Sequence, residues 1–334
     1  MTALKKAAVL AATVLSILLL GVSIFVWRTW DRAWDRPLPD LHASHDPAVI
    51  SRGEYLVYGP AHCVECHAAS TPDADAIAGG ARPPLVGGMA FHAPPLGVIY
   101  SRNLTPDVET GIGRYTDPQI ARLLRYSVRP DGKAVPQLLM PFSGMSDEDI
   151  VAILSFLRAQ PAVRHVVPAD DFTLIGKVVK SFAPVFKPRD AALAPPTPPV
   201  PAATRERGEY LARSVGNCGG CHTPHNPVTF AATAPEFSGG EEMSPAARPG
   251  ADRAVWFRTP NLTPATGSAL NKFPDRATFV ARFQRGGRQY AGSPMPWEAF
   301  ARMSDADLGA LYEYFRGLPA QPGPAGDPRF RKGG

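Results

Sequence analysis

Cys63-Val64-Glu65-Cys66-His67 and Cys218-Gly219-Gly220-Cys221-His222 constrain this 334-residue chain more than anything else in it. Each is a C-x-x-C-H string, the pattern by which haem is attached covalently to a protein. Two thiols three positions apart can each form a thioether to one vinyl group of the same porphyrin. The histidine that follows is then held beneath the iron as its proximal ligand. A lone C-x-x-C could instead be a redox pair or half of a zinc site. A zinc site would bring two closely spaced ligand pairs, whereas these pairs lie 155 positions apart and a histidine follows each directly. All four cysteines are used in the two strings. The expected cofactors are therefore two covalently bound haem c, attached at Cys63, Cys66, Cys218 and Cys221, with no disulfide.

The N-terminus sets the compartment. Ala7 to Trp27 is an uncharged run, which as a helix spans about 31 Å and matches a bilayer core. Lys5 and Lys6 precede it, favouring a cytoplasmic residue 1–6 segment with everything after Trp27 outside. A cleaved signal peptide would have a shorter apolar region ending in small residues. Here the run ends in Ile24-Phe25-Val26-Trp27-Arg28, so an uncleaved single-pass anchor over 7–27 is the preferred reading, followed by a linker over 28–45.

Beyond the anchor the chain is written twice. Arg52-Gly53-Glu54-Tyr55-Leu56 recurs as Arg207-Gly208-Glu209-Tyr210-Leu211, and Asn103-Leu104-Thr105-Pro106 as Asn261-Leu262-Thr263-Pro264. Met140-Pro141-Phe142 recurs as Met295-Pro296-Trp297, and Met145-Ser146-Asp147 as Met303-Ser304-Asp305. The order is the same in both halves. Each copy reads as a short helical domain, the first over 46–186 and the second over 204–320. A helix leads into each haem string, from Asp46 in one copy and with Thr204 as N-cap in the other. Asp117 is read as an N-cap before Pro118, matched by Asp275. The last helix of each copy starts at Ser146 or Ser304, with an aspartate three residues on. A proline-rich stretch over 187–203 is a stiff linker, and 321–334 reads as a disordered tail. Leu174, Ile175, Val178, Val179 and Phe182 fall at helical spacing. The expected role is a small helix packed on one of the domains, with a membrane-surface or partner contact as the alternative.

The sixth ligand decides what each iron can do. The repeat leaves two matched methionine pairs. Met145 and Met303 each directly precede a serine N-cap, with Ile150 or Leu308 at the staple position, so they have a structural explanation. Met140 and Met295 have none: each lies in a loop, precedes proline and stands 73 positions after its own haem histidine. The expected iron ligands are therefore His67 with Met140 and His222 with Met295. Arg102 and Arg258, beside the Asn-Leu-Thr-Pro strings, are candidate partners for haem propionates. A net charge of +5, spread over lysines at the N-terminus and a basic tail, gives no argument for nucleic acid. No phosphate loop is present.

Helix, C-x-x-C-H, long loop and terminal helix resemble class I cytochrome c domains in both halves. The expected fold is thus all-α, an N-terminal transmembrane helix followed by two tandem class I cytochrome c domains. The fuller pattern runs from Gly53-Glu54-Tyr55-Leu56 through Asn103–Gly113 and Met140-Pro141 to Met145–Asp149. It is similar to the membrane-bound cytochrome subunits of periplasmic alcohol/aldehyde, gluconate and nicotinate-type dehydrogenases. That resemblance implies export of the haem domains to the periplasmic side of the inner membrane. It also implies a partner dehydrogenase catalytic subunit and a downstream acceptor such as quinone, another cytochrome or an oxidase. Histidine–methionine ligation fills both axial positions and raises the reduction potential, which argues for electron transfer rather than catalysis. The alternatives are a freestanding carrier between a quinol-oxidising complex and an oxidase, or a dihaem enzyme such as a peroxidase or thiosulfate dehydrogenase.

Overall fold

The structure, a computed structural model, describes residues 2–68, 74–136, 138–190, 194–195, 197–226, 229–246, 250–324 and 327–332, with side chains at 74 and 75 excepted. Helix α1 (Ala3–Thr29) contains the whole expected anchor and extends it at both ends. Its mean hydropathy reaches 2.7, and almost all of that window stands clear of the rest of the chain. It is long and apolar enough to cross a membrane. Arg28 lies in its last turn, where a cation complements the helix dipole.

The two halves share a core order of helix, attachment turn, two strands, two helices and a third strand, with helices Ala74–Ala78 and Leu174–Phe182 extra in the first and Trp297–Phe300 in the second. In the first, α2 (Pro47–Tyr58) leads to α3 (Val64–His67) and the short α4 (Ala74–Ala78), followed by the hairpin β1 (Ala90–Ala93) and β2 (Gly97–Tyr100). Helix α5 (Asp117–Tyr126), the methionine loop, α6 (Asp147–Ala159), β3 (Asp171–Phe172) and α7 (Leu174–Phe182) complete it. The second half has α8 (Arg205–Tyr210), running on through a wider π turn, then α9 (Cys218–His222), β4 (Glu242–Met243) and β5 (Val255–Arg258). It closes with α10 (Arg276–Gln284), α11 (Trp297–Phe300), α12 (Asp305–Arg316) and β6 (Arg329–Arg331).

The all-α expectation needs correction. Helix dominates, but among the described residues each half also holds a three-stranded antiparallel sheet, β1-β2-β3 and β4-β5-β6. These strands are two to four residues long, too short to show an alternating pattern in sequence. The third strand of each sheet comes from beyond the terminal helix. This also corrects the expected disordered tail. Arg329–Arg331 pair with Val255–Phe257, and Gln321 bonds through both backbone groups to Asn261 and Thr263. Residues 325–326 and 333–334 of that tail, and 191–193 and Pro196 of the proline-rich linker, lie outside the described residues.

The helix starts follow their caps. Asp46, Thr204, Ser146, Asp275 and Ser304 each accept a backbone N–H of the first turn. At α5 the cap is one residue earlier than expected. Thr116 forms a capping box with Gln119, which leaves Asp117 and Pro118 inside the first turn.

The repeated Arg-Gly-Glu-Tyr-Leu string explains how the halves are built. Gly53 sits where α2 crosses α6: a Cβ there would fall 1.9 Å from the Ala152 carbonyl oxygen. Gly208 does the same for α8 on α12, 2.0 Å from the Ala310 oxygen. Only glycine permits such an approach. Arg52 grips Asp149 through two hydrogen bonds of 2.9 and 3.1 Å, and Arg207 grips Asp307 at 2.8 and 3.0 Å. Leu56 and Leu211 are fully buried. The tyrosines reach into the opposite half. Tyr55 donates to Asp307 (2.6 Å) and accepts from the Ser304 N–H, while Tyr210 donates to Asp149 (2.7 Å) and accepts from the Ser146 N–H. Buried apolar residues of both halves form one continuous cluster.

Candidate haem sites

Both attachment strings fold as a single helical turn, which places their two cysteines on the same side of the backbone. Burial pushes the thiols of Cys63, Cys66 and Cys218 up to about 12 and that of Cys221 up to about 11. This is the reverse of the electropositive setting that makes a redox thiol or a thiolate ligand.

The histidines are held alike. His67 Nδ1 lies 2.7 Å from the Arg102 carbonyl oxygen, and His222 Nδ1 lies 2.9 Å from that of Pro260. A carbonyl can only accept, so in each ring Nδ1 carries the proton and Nε2 presents its lone pair. Burial lowers both imidazoles below their ordinary value, favouring the neutral ring. A neutral imidazole, oriented through Nδ1 by a backbone carbonyl, is the arrangement a metal-ligating histidine requires. The donor set therefore fits haem at both strings.

The carbonyls were not visible as site components in the sequence, yet a signal for them was. Each stands immediately before an Asn-Leu-Thr-Pro string. Asn103 Oδ1 accepts from the Thr105 N–H and hydroxyl at 2.9 and 2.8 Å, and Asn261 repeats this with Thr263 at 2.8 Å for both. The repeated Asn and Thr fix the turn that presents the carbonyl.

Met140 and Met295 both lie half-buried in the loops before the terminal helices, packed against the core. Met145, Met303, Ile150 and Leu308 are all buried in the core cluster. Arg102 and Arg258 both have protein partners. Arg102 pairs with Asp170 at 2.5 Å and donates to the Pro168 carbonyl. Arg258 pairs with Glu242 at 3.1 Å and lies over the Phe330 ring.

One buried cation joins the two sites. Arg288 donates to the Met295 and Ser293 carbonyls and pairs with Glu298 through Nε (2.8 Å) and Nη2 (2.5 Å). Its Nη2 also stands 3.6 Å from Glu65, inside the first attachment string. The loops entering the two strings also touch: the Pro60 carbonyl oxygen is 3.6 Å from where a Cβ on Gly216 would lie. Lys133, the counterpart of Arg288 in the first half, pairs instead with Asp31 at 2.9 Å.

No family model matches the chain. It is 30% identical over 292 residues to the cytochrome c subunit of a quinone alcohol dehydrogenase from Gluconobacter oxydans, covering 83% of this chain and 56% of that protein. It is 31% identical over 295 residues to the fructose dehydrogenase cytochrome subunit of Gluconobacter japonicus, covering 85% and 55%. The chain thus spans about half the length of these two relatives. It is 27% identical over 325 residues to a dihaem c-type cytochrome of Cereibacter sphaeroides, covering 92% of this chain and 97% of that one. The two C-x-x-C-H strings, each backed by an oriented histidine, thus sit in a chain whose homologues are cytochrome c subunits of quinone alcohol and fructose dehydrogenases and, along nearly its whole length, a dihaem c-type cytochrome.

Proposed function

We propose that this chain carries two haem c groups and passes electrons from a periplasmic dehydrogenase partner to the respiratory chain, held at the inner membrane by α1 in a single pass. The observation that carries this reading is the matched pair of histidines, each fixed through Nδ1 by a carbonyl and each following two cysteines. Bound haem supplies an iron that cycles between ferrous and ferric states. Cys63 and Cys66, and Cys218 and Cys221, would hold the two groups as thioethers, and His67 with Met140 and His222 with Met295 would supply the nitrogen and sulfur ligands to their irons. The Tyr55–Asp307 and Tyr210–Asp149 contacts hold the two halves, each with its C-x-x-C-H string, together. The relatives' names support an electron-transfer subunit rather than a catalytic one.

A haem assay on the purified chain should give two groups per polypeptide, and Met140→Ala and Met295→Ala should each remove half of the sulfur-to-iron charge-transfer absorption. Retention of the full band in either variant would overturn the ligand assignment. Purification in mild detergent should bring a larger catalytic subunit with the chain. A freestanding carrier is the second reading, favoured by the near full-length match to a dihaem cytochrome whose name carries no dehydrogenase. Isolation without a larger partner, together with rapid oxidation by a terminal oxidase, would select it.

A further inference from the structure

Helix α7 turns its apolar side outward. Leu174, Ile175, Val178 and Phe182 are 77%, 54%, 36% and 50% exposed, and their spacing puts them on one arc of the helix. The opposite side is the one that packs. A Cβ on Gly176 would lie 1.9 Å from the Leu96 carbonyl oxygen, and the N-cap Thr173 donates to the Pro95 carbonyl at 2.7 Å. The helix is therefore seated on the β1–β2 turn by its glycine and cap, leaving the apolar arc free.

Its location says what covers that arc. The Phe182 ring stacks on Phe25 of α1, with centroids 5.0 Å apart. Phe25 stands about 6 Å along the helix axis before α1 ends at Thr29, a depth where a spanning helix leaves the hydrocarbon. On the other flank, Lys177 and Lys180 place their ammonium groups 4.6 and 5.4 Å from the Trp30 ring. Tryptophan and lysine at the end of a span mark the headgroup layer. Asp31, just past α1, is gripped by Lys133 and Lys180, and the Trp34 N–H donates to the Gly132 carbonyl. The end of the anchor and α7 are thus fixed to the same body.

We propose that α7 lies in the outer membrane–water interface of the bilayer that α1 crosses, with Leu174, Ile175, Val178 and Phe182 among the acyl chains and Lys177 and Lys180 at the headgroups. Amphipathic helices of this composition bind in the plane of that interface. The surface is continuous with the span, so its occupant is lipid, and the first half is held at a set tilt on the membrane. This rests on α1 being a membrane anchor.

The test uses the full haem-loaded chain in lipid nanodiscs, with a nitroxide on single cysteines introduced by Ile175→Cys, Val178→Cys, Leu15→Cys and Val108→Cys. Collisions with oxygen, which concentrates in lipid, are compared with collisions with a water-soluble nickel chelate. The expected result is oxygen-dominated relaxation at 175 and 178 as at 15, with nickel access reduced severalfold from that at 108. Nickel-dominated relaxation at 175 and 178, with 15 still in lipid, would overturn the proposal and leave the anchor standing. Low access to both agents at 175 and 178 would overturn it in favour of a protein contact. Nickel access at 15 would remove the anchor, and the proposal with it.

Discussion

Arg288 is the residue on which both sites lean. Its guanidinium is 7% exposed and Glu298 is 1% exposed, so removing the cation breaks a buried, doubly hydrogen-bonded ion pair. Arg288→Gln should cost about 3–5 kcal/mol of unfolding free energy, read by denaturant titration. Because the same side chain holds the Met295 carbonyl, the potential of the second haem should shift more than that of the first in a redox titration. An equal shift of both would place the effect in general loosening. The counterpart Lys133 pairs with the half-exposed Asp31. Lys133→Gln should therefore cost about 1 kcal/mol or less. One position of the repeat has thus taken two different tasks, a strut between attachment sites in one half and a tether to the anchor in the other.

At the scale of elements, the crossing of the first and last helices of each half is set by a missing side chain. Gly53→Ala and Gly208→Ala should each destabilise by about 1–3 kcal/mol through overpacking, measured as a lowered denaturation midpoint. They should also lower haem incorporation, since both attachment turns follow directly on these helices. The caps, the repeat and the attachment strings were legible in the sequence, because serine, aspartate, glycine and C-x-x-C-H act within a few residues of themselves. The Asn-Leu-Thr-Pro repeat was visible, but its purpose was not: the carbonyl just before it meets a histidine 35 residues earlier in one half and 38 in the other. The small sheets stayed hidden because their strands are shorter than the period that would reveal them. Helix α7 forms and packs on the first half as its spacing predicts, but through Gly176 and Thr173, while Leu174, Ile175, Val178 and Phe182 stay exposed. Spacing defines which residues share a side, but not which side meets the protein.

Across the whole molecule the acid response follows from the contact between halves. Burial works against ionisation of Asp307, but hydrogen bonds from Arg207, its charge, and the Tyr55 hydroxyl outweigh this and hold the carboxyl below its ordinary value. Its contribution to stability is complete above the unfolded carboxylate range of about 4. It is lost as pH falls from there through the lower folded value. Asp307→Asn should be less stable at neutral pH and show a shallower decline below about pH 4, followed by circular dichroism along a pH series. Tyr55→Phe and Tyr210→Phe should each cost about 1–3 kcal/mol, since each leaves a buried carboxylate one donor short.

The crossed tyrosines have a further consequence. A contact in which each copy offers the same tyrosine to the same aspartate of the other has the self-complementary form of a two-fold dimer interface. The chain is in that sense a homodimer made permanent by a tether, with the proline-rich segment supplying the local concentration that two separate chains would have to reach by diffusion. Protease nicking within 187–203 should therefore leave both halves eluting as one species on a sizing column.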